Sequence, residues 1–358
     1  MPSRRTVLGA SALAVPFLLS HRSRAAPSRK VRLTLPWVAE GSNAFVFVAK
    51  ANGYWANADL DVDISRGYGS VAAAQAVAAG RFDFGIAVPS AAIQQASKGL
   101  PIVSLATYNY DATMCVAVLA DSPVETPEQL NGKSIGSTVT SGEYPFLPAF
   151  AKAAGLDLGT VRIVKTDPNV RQRLLMEKQV DAISGFAISI APVLAANNMQ
   201  ARYMRYSRYG LANYGNALLT RPDILKSDPK LCAALARGLE QAVRFCLLNP
   251  QQALDIFLKA VPEAALAANG PKQIATGLGI FNLTVIAAPA TQHGIGMSDL
   301  SDYVKMTDLV MKYLATSGDK RPDPKAMFTN DFVGDVKLTP AEWQQAEANV
   351  KEYRSFFA

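Results

Sequence analysis

The side chains of this sequence that could do chemistry are mainly hydroxyl and aromatic groups. The only histidines are His21 and His293. His293 lies in the stretch Gln292-His293-Gly294-Ile295-Gly296, which has no nucleophile elbow, so a Ser/His hydrolase is not supported. His, Cys and carboxylate residues do not cluster with the spacing of metal ligands. The sequence therefore predicts a protein that binds without making or breaking bonds, with no cofactor and no metal.

Polar and aromatic groups stand at several predicted strand-to-helix junctions. Trp37 ends the first predicted strand, and Ser42 or Asn43 begins the following helix. The turn Gly67-Tyr68-Gly69-Ser70 precedes another helix, and Tyr108 ends another strand. In open α/β sheets, ligands bind beyond the carboxyl ends of the strands, where helix N-termini expose unpaired N–H groups. These residues are therefore candidates for one binding rim; helix capping and packing under a loop are the alternative roles.

A second group of hydroxyls follows a later predicted strand. Thr138, Thr140, Ser141 and Gly142 precede a helix, and their hydroxyls and free amides can form a hydrogen-bonding cradle. Capping of that helix is the alternative. Glu143 can accept from ligand amines or complement the helix dipole.

These groups are positioned by alternating short strands and helices, which is typical of an α/β sheet protein. The first set of strands is predicted to end with 114–120, and Asp121-Ser122-Pro123 then separates it from a second set. Residues 215–220 are predicted to return to the first set. Residues 74–92 and 171–194 repeat one helix–strand–helix pattern, so two facing rims would form a cleft. The remaining chain is predicted to be mainly helical, over 230–248, 251–259, 298–314 and 340–356.

The N-terminus is predicted to be an export signal spanning residues 1–25. Ser3-Arg4-Arg5-Thr6 begins an apolar run of about fifteen residues, and Ser23-Arg24-Ala25 places small residues at −3 and −1. The paired arginines indicate the bacterial twin-arginine route. A membrane anchor is disfavoured, because about 20 apolar residues are needed to span a bilayer and Pro16 interrupts the run. The expected product is a soluble periplasmic protein.

Much of the positive charge belongs to this signal. The chain has 36 Lys and Arg against 29 Asp and Glu, a formal net charge of +7. Residues 1–25 hold four arginines and no acid, so 32 basic groups remain against 29 acidic ones, a difference of +3. No long Lys/Arg cluster remains, which argues against a nucleic-acid partner.

The cysteines are predicted to be buried free thiols. Cys232 and Cys246 lie on one predicted helix, and their spacing corresponds to about 21 Å, beyond the reach of a disulfide. Cys115 stands in an apolar strand-like run. No cysteine follows the signal, so a lipoprotein anchor is not expected.

The chain resembles the periplasmic solute-binding proteins of ABC importers, in particular the group that serves nitrate, sulfonates, taurine and thiamin-pyrimidine precursors. The stretches that carry the resemblance span roughly residues 31–220 and keep a common order and spacing. They are Leu35-Pro36-Trp37, Phe47-Val48-Ala49-Lys50-Ala51-Asn52-Gly53-Tyr54-Trp55, Leu60-Asp61-Val62-Asp63-Ile64, Gly80-Arg81-Phe82-Asp83-Phe84-Gly85, Leu130-Asn131-Gly132-Lys133-Ser134-Ile135-Gly136 and Val180-Asp181-Ala182-Ile183-Ser184-Gly185-Phe186.

The resemblance implies a two-lobed, type II-like periplasmic binding protein, with a mixed sheet flanked by helices in each lobe and a helical C-terminal region. Lobe one would comprise residues 27–120 and 215–358, and lobe two residues 121–214. The chain would cross near Ala120-Asp121 and Tyr214-Gly215. A small molecule would bind between the lobes, which close by hinge bending. The protein is expected to be a monomer, and its expected partner is an inner-membrane ABC permease that receives the ligand.

The resemblance also adds two residues to the candidate site. Ser90 matches a polar position of the first rim, and Phe186 matches an aromatic of the second-lobe loop. Two rings on opposite lobes favour a flat heterocycle, because stacking contributes about 0.5–1.5 kcal/mol beyond area burial. Nitrate, alkylsulfonates and aromatic carboxylates remain alternative ligands, and a ligand-sensing role remains an alternative function. A thiamin-pyrimidine-synthase-like enzyme is disfavoured, since the family's active-site histidine and cysteine-rich motif are missing.

Overall fold

The computed structural model describes residues 28–357. The predicted signal, residues 1–25, lies outside them. Ten strands form two sheets, and they are β1 (Arg29–Thr34), β2 (Leu60–Ser65), β3 (Phe84–Ala87), β4 (Val103–Thr107), β5 (Met114–Leu119), β6 (Ser134–Ser137), β7 (Arg162–Lys165), β8 (Ala182–Phe186), β9 (Ala201–Arg205) and β10 (Ala217–Thr220).

Thirteen α-helices of the described chain surround these sheets. They are α1 (Ala44–Ala51), α2 (Ser70–Ala78), α3 (Pro89–Ser97), α4 (Leu147–Ala153), α5 (Arg171–Met176), α6 (Ala187–Ala196), α7 (Pro222–Ser227), α8 (Pro229–Leu248), α9 (Pro250–Ala260), α10 (Pro262–Leu266), α11 (Gly270–Val285), α12 (Leu300–Tyr313) and α13 (Pro340–Val350). Among residues 28–357, no helix is both long enough and apolar enough to cross a bilayer.

The first sheet has the strand order β2-β1-β3-β10-β4. β1 is parallel to β2 and β3, whereas β10 is antiparallel to β3 and β4. Val31 and Leu33 of β1 are buried, because alternate side chains of a strand share one face. They join an apolar core with residues of α1, α8, α9 and α11, in which Phe45 stacks on Phe281 at a ring-centroid distance of 4.9 Å.

The second sheet has the order β7-β6-β8-β5-β9, with β6 parallel to β7 and β8 and with β5 antiparallel to β8 and β9. Both sheets are mixed and flanked by helices, as the sequence predicts. The assignment of residues 114–120 to the first set is wrong, because β5 forms hydrogen bonds only within the second sheet among the described strands. The chain therefore passes between the sheets over 108–113, before Ala120-Asp121. It returns between Arg205 and Ala217, a segment that contains Tyr214-Gly215.

α11 was not predicted from the sequence. Its glycines have low helix propensity, so the local sequence pattern does not indicate a helix there. They permit close packing, since Gly277 lies against Gly41 and an added Cβ would be 3.2 Å from the Gly41 Cα. α11 packs on α6 and on the 3₁₀ turn Gly41–Asn43. The last predicted helix, 340–356, is divided into α13 and a 3₁₀ segment, Lys351–Phe357.

All three cysteines are expected to resist thiol reagents in the native protein. Cys115, Cys232 and Cys246 are free and buried, as predicted. Burial raises the pKa of each thiol, to about 12 for Cys232, so little reactive thiolate forms at neutral pH. A colorimetric thiol assay should detect almost no reaction before denaturation and three thiols per chain after it. Rapid labelling of the native protein would contradict this burial.

Candidate functional site

A cavity lies between the two sheets, at the edge where their parallel strands end. Its volume is about 40 Å³. The lining comes from the segments that follow β1, β3, β4 and β6, from the end of β8, from the first turns of α2, α5 and α6, and from the approach to β10. The lining residues are Pro36, Trp37, Glu40, Ser42, Ser70, Val88, Asn109, Ala112, Ser141, Arg171, Phe186, Ile188, Ser189, Gly215 and Asn216. This position agrees with the general location of ligands in open α/β sheets.

Two aromatic rings reach this cavity from different sheets. Trp37 lies in the loop after β1, three residues beyond the end of the strand, and is 7% exposed. β1 stops short of it because Leu35 makes the last ladder bond, to Ser65, and Pro36 has no N–H to donate. Phe186 is the last residue of β8. The two rings therefore reach the cavity from the carboxyl ends of strands in different sheets.

Glu40 supplies a buried carboxylate that connects the two sides. Ser42 Oγ donates to Glu40 Oε1 at 2.7 Å, and Ser189 Oγ, at the start of α6, donates to the same oxygen at 2.6 Å. Glu40 precedes the 3₁₀ turn Gly41–Asn43, whose contact with α11 holds the carboxylate in place. Burial raises the pKa of Glu40 above its usual value, while both serine hydroxyls oppose the rise.

Arg171 and Glu143 form a second charged group on the side of the second sheet. The Arg171 side chain is 1% exposed, and its Nη1 lies 3.8 Å from Glu143 Oε1. Glu143 accepts from the hydroxyls of Ser141 and Ser184. The guanidinium carbon lies 5.0 Å from the centroid of the Trp37 ring. Burial lowers the pKa of Arg171 from its ordinary value, and the Glu143 charge opposes that shift.

The loops of the two sheets touch directly beside the cavity. The Thr140 carbonyl, after β6, accepts from the Val71 N–H of α2 at 3.2 Å. Thr140 Oγ1 donates to the Tyr68 carbonyl. Gly69 approaches so closely that an added Cβ would lie 2.0 Å from the Thr140 carbonyl oxygen. The two sides are therefore in contact beside the cavity.

The structure brings five of the twelve predicted site residues to the cavity lining, which are Trp37, Ser42, Ser70, Ser141 and Phe186. Gly142 lies next to it, because an added Cβ would be 3.2 Å from the Phe186 ring. Their role in ligand binding remains a prediction.

Two predicted residues have structural partners instead. Asn43 accepts from the Glu40 N–H and donates to the Val38 carbonyl, so it stabilises the turn that carries Glu40. Tyr108 is fully buried in the core, with its hydroxyl 3.4 Å from the Ala236 carbonyl. Neither side chain is part of the cavity lining.

The remaining predictions lie near the cavity or away from it. Thr138 shares a hydrogen bond of 3.1 Å with Thr166 of the same sheet. Tyr68 is 53% exposed and has the Arg66 guanidinium over its ring. Ser90 is buried in α3, and its hydroxyl has no hydrogen-bond partner among residues 28–357. None of these side chains is in the lining, and Thr140 acts in the contact between the loops.

Sequence reasoning missed most of the polar lining, namely Glu40, Asn109, Arg171, Ser189 and Asn216. Charged residues in predicted loops and helix starts are usually solvent-exposed, and only long-range packing buries Glu40 and Arg171. Within the described chain, no group of three or more His, Cys, Asp or Glu residues could hold a metal ion.

Two mixed β-sheets, each flanked by helices, are joined by two chain crossings, and an aromatic and polar cavity lies between the sheets. This arrangement defines the periplasmic-binding-protein fold. The chain belongs to the family described as NMT1/THI5 like, whose family model matches residues 41–253.

Comparisons with individual proteins agree with this family. The chain is 26% identical over 258 residues to the formylaminopyrimidine-binding protein of Halalkalibacterium halodurans, covering 70% of this chain and 78% of that protein. It is 21% identical over 238 residues to the 4-amino-5-hydroxymethyl-2-methylpyrimidine phosphate synthase of Legionella pneumophila, covering 65% of this chain and 74% of that protein.

A solved structure shares the fold. The alkanesulfonate-binding protein SsuA of Xanthomonas axonopodis pv. citri, bound to MOPS, superposes with a TM-score of 0.63. The alignment covers 85% of this chain and 99% of that protein at 14% sequence identity. At this identity the similarity supports the fold and says nothing about the ligand.

Proposed function

We propose that this protein is the periplasmic ligand-binding component of an ABC importer and that it captures a small planar heteroaromatic solute. The observation that carries the proposal is the cavity between the sheets, which Trp37 and Phe186 line from different sheets together with Glu40 and Arg171. Among relatives, the formylaminopyrimidine-binding protein is named for a ligand of this chemical kind.

The charges of the cavity also favour such a ligand over a small anion. Glu40 and Glu143 supply two buried carboxyls against one guanidinium, that of Arg171. A nitrate or sulfonate would bring a further negative charge beside these carboxyls, where low dielectric strengthens repulsion. A neutral or protonated nitrogen heterocycle avoids this cost and can donate N–H groups to Glu40.

The size of the cavity indicates that its walls must move. One water molecule needs about 10–15 Å³ of such space. The volume of about 40 Å³ therefore suits a few water-sized groups, and an aromatic ring requires the two sides to separate slightly. We propose that the sides form two lobes, crossing at 108–113 and again before β10, and that hinge bending admits the solute before delivery to a membrane permease.

The proposed role involves no reaction. The cavity lining within the described chain contains no histidine and no cysteine. His293 lies in the π-helical segment Pro289–His293 and is exposed. Binding and release are therefore the chemistry that these residues support.

The proposal is tested by ligand screening combined with two cavity variants. Native mass spectrometry of the exported protein and thermal shifts with aminopyrimidines, flavins, nitrate and alkylsulfonates should identify a heteroaromatic ligand. At a hundredfold excess over its Kd, a true ligand stabilises by about 2.7 kcal/mol. Trp37→Ala and Phe186→Ala should each raise the Kd about tenfold, because each removes one stacking surface.

The matched control is Tyr313→Ala, which removes a half-buried aromatic from α12, outside the cavity lining. It should leave the Kd unchanged, and circular dichroism should show that all three variants are folded. Tight binding of nitrate or an alkylsulfonate, with no response to any heterocycle, would refute the proposed ligand class.

A further inference from the structure

The Arg171 guanidinium is buried at the cavity but leaves hydrogen-bonding capacity unused. Arg171 is the first residue of α5, and its side chain is 1% exposed. Its Nε and Nη1 atoms have no hydrogen-bond partner in the described part of the chain. Buried donors are nearly always paired in native proteins, so unpaired guanidinium nitrogens at a cavity indicate a missing acceptor.

Neighbouring side chains hold the guanidinium without satisfying it. Glu143 lies 3.8 Å from Nη1, beyond hydrogen-bond range, and its oxygens already accept from two serine hydroxyls. The Trp37 ring covers one face of the guanidinium. Gly185 leaves room for it, since an added Cβ would be 2.9 Å from Arg171 Cζ. The group is therefore fixed in position while part of its donor edge is buried and unpaired.

Glu40 offers the opposite kind of partner in the same cavity. Both serine hydroxyls donate to its Oε1 atom, and a carboxylate has about four acceptor positions, so Glu40 keeps acceptor capacity for a ligand. The cavity lining thus contains a donor group, Arg171, and an acceptor group, Glu40, together with the rings of Trp37 and Phe186. A flat ligand between the rings can meet both groups at once through its in-plane polar atoms.

From this arrangement we infer that Arg171 contacts the ligand and selects it by donating to a neutral acceptor, a carbonyl oxygen or ring nitrogen. The solute is then a planar heterocycle that carries an acceptor toward Arg171 and an amino or ring N–H donor toward Glu40. This inference rests on the proposed function and adds to it the polarity of the ligand. A ring without an acceptor would leave the guanidinium unpaired, which disfavours its binding.

The experiment compares two probes that are neutral at pH 8 and differ in one ring nitrogen, 3-aminopyridine and aniline, by isothermal titration calorimetry. The wild-type protein is expected to bind 3-aminopyridine about 30-fold more tightly, which corresponds to about 2 kcal/mol for a hydrogen bond to a charged group. Arg171→Met should abolish this preference. Because that variant leaves Glu143 buried and unpaired, the double variant Arg171→Met/Glu143→Gln provides a charge-balanced version with the same expected result.

A matched control is Glu40→Gln, which should weaken the binding of both probes and leave the ratio of their Kd values near that of the wild type. If the charge-balanced variant keeps the preference for 3-aminopyridine, or if the wild type binds both probes equally, Arg171 does not select the ligand and the inference is wrong while the proposed function stands. If the wild type binds neither probe, and the wider screen yields only anions, the proposed ligand class fails together with the inference.

Discussion

Replacing Gly69 with alanine is expected to weaken ligand binding more than 100-fold while the protein stays folded. Gly69 has φ +121°, and an added Cβ would lie 2.0 Å from the Thr140 carbonyl oxygen of the facing loop. The contact atom belongs to rigid backbone, so the two loops must separate to relieve it. A separation larger than the ligand itself requires loses the stacking and polar contacts on one side of the ligand, and a loss above about 2.7 kcal/mol gives the expected factor.

Calorimetry measures the Kd of this variant, and small-angle X-ray scattering measures its radius of gyration, which should exceed that of the wild type with ligand. Gly318→Ala is the matched control, because Gly318 also has a large positive φ, at +100°, but has no atom within 4 Å of an added Cβ. Both variants place alanine at a positive φ that L residues rarely adopt. Equal affinity and equal radius in the two variants would show that the loop contact does not govern closure.

The buried carboxyl of Glu240 is expected to make the protein less stable as the pH rises from about 4.5 to about 8. Glu240 lies in α8; its Oε1 accepts from the Gly334 N–H at 2.8 Å, and its Oε2 has no partner within residues 28–357. Burial raises the pKa of this carboxyl to about 8, and Asp335 adds to the rise while Arg237 opposes it. In that window the folded state holds a proton that the unfolded state releases, so stability falls with rising pH.

Glu240→Gln should remove most of this pH dependence, since glutamine resembles the protonated carboxyl and can still accept from Gly334. One pKa unit corresponds to about 1.4 kcal/mol. The free energy of unfolding of the variant should therefore exceed that of the wild type by several kcal/mol at pH 9 and match it near pH 5. Urea unfolding at a series of pH values measures the difference. Glu263→Gln, on the exposed side of α10, is the control and should follow the wild type. If the free energy of unfolding changed with pH in the same way for Glu240→Gln and for the wild type, the predicted effect of burial would be contradicted.

Much of the fold and part of the candidate site could be predicted from the sequence, because both depend on local patterns. Alternating apolar residues identify β1, the aromatic residue that follows this run points to Trp37, and the family resemblance adds Phe186. Glu40 and Arg171 could not be found in this way. Ser189, which bonds to Glu40, is 149 residues away in the sequence, so the burial of that carboxylate depends on packing between distant segments.

The two main errors in the fold have similar causes. β5 continues an apolar series of strands, and only its pairing with β8 and β9 assigns it to the second sheet. α11 contains Gly277 and Gly279, and a local propensity argument counts against it. Its helical form depends on tertiary contacts with α6 and α13 that no local window contains.

The glycine at position 277 has a consequence for how related chains could change their preferred ligand. Gly277 lies between two segments, the 3₁₀ turn that follows Glu40 and the part of α6 that contains Pro192. A Cβ added at Gly277 would be 3.2 Å from the Gly41 Cα and 3.5 Å from the Pro192 Cγ. Any bulkier residue there would wedge these two segments apart by tenths of an ångström. Related proteins could thus accommodate larger solutes through one substitution at a residue that does not contact the solute.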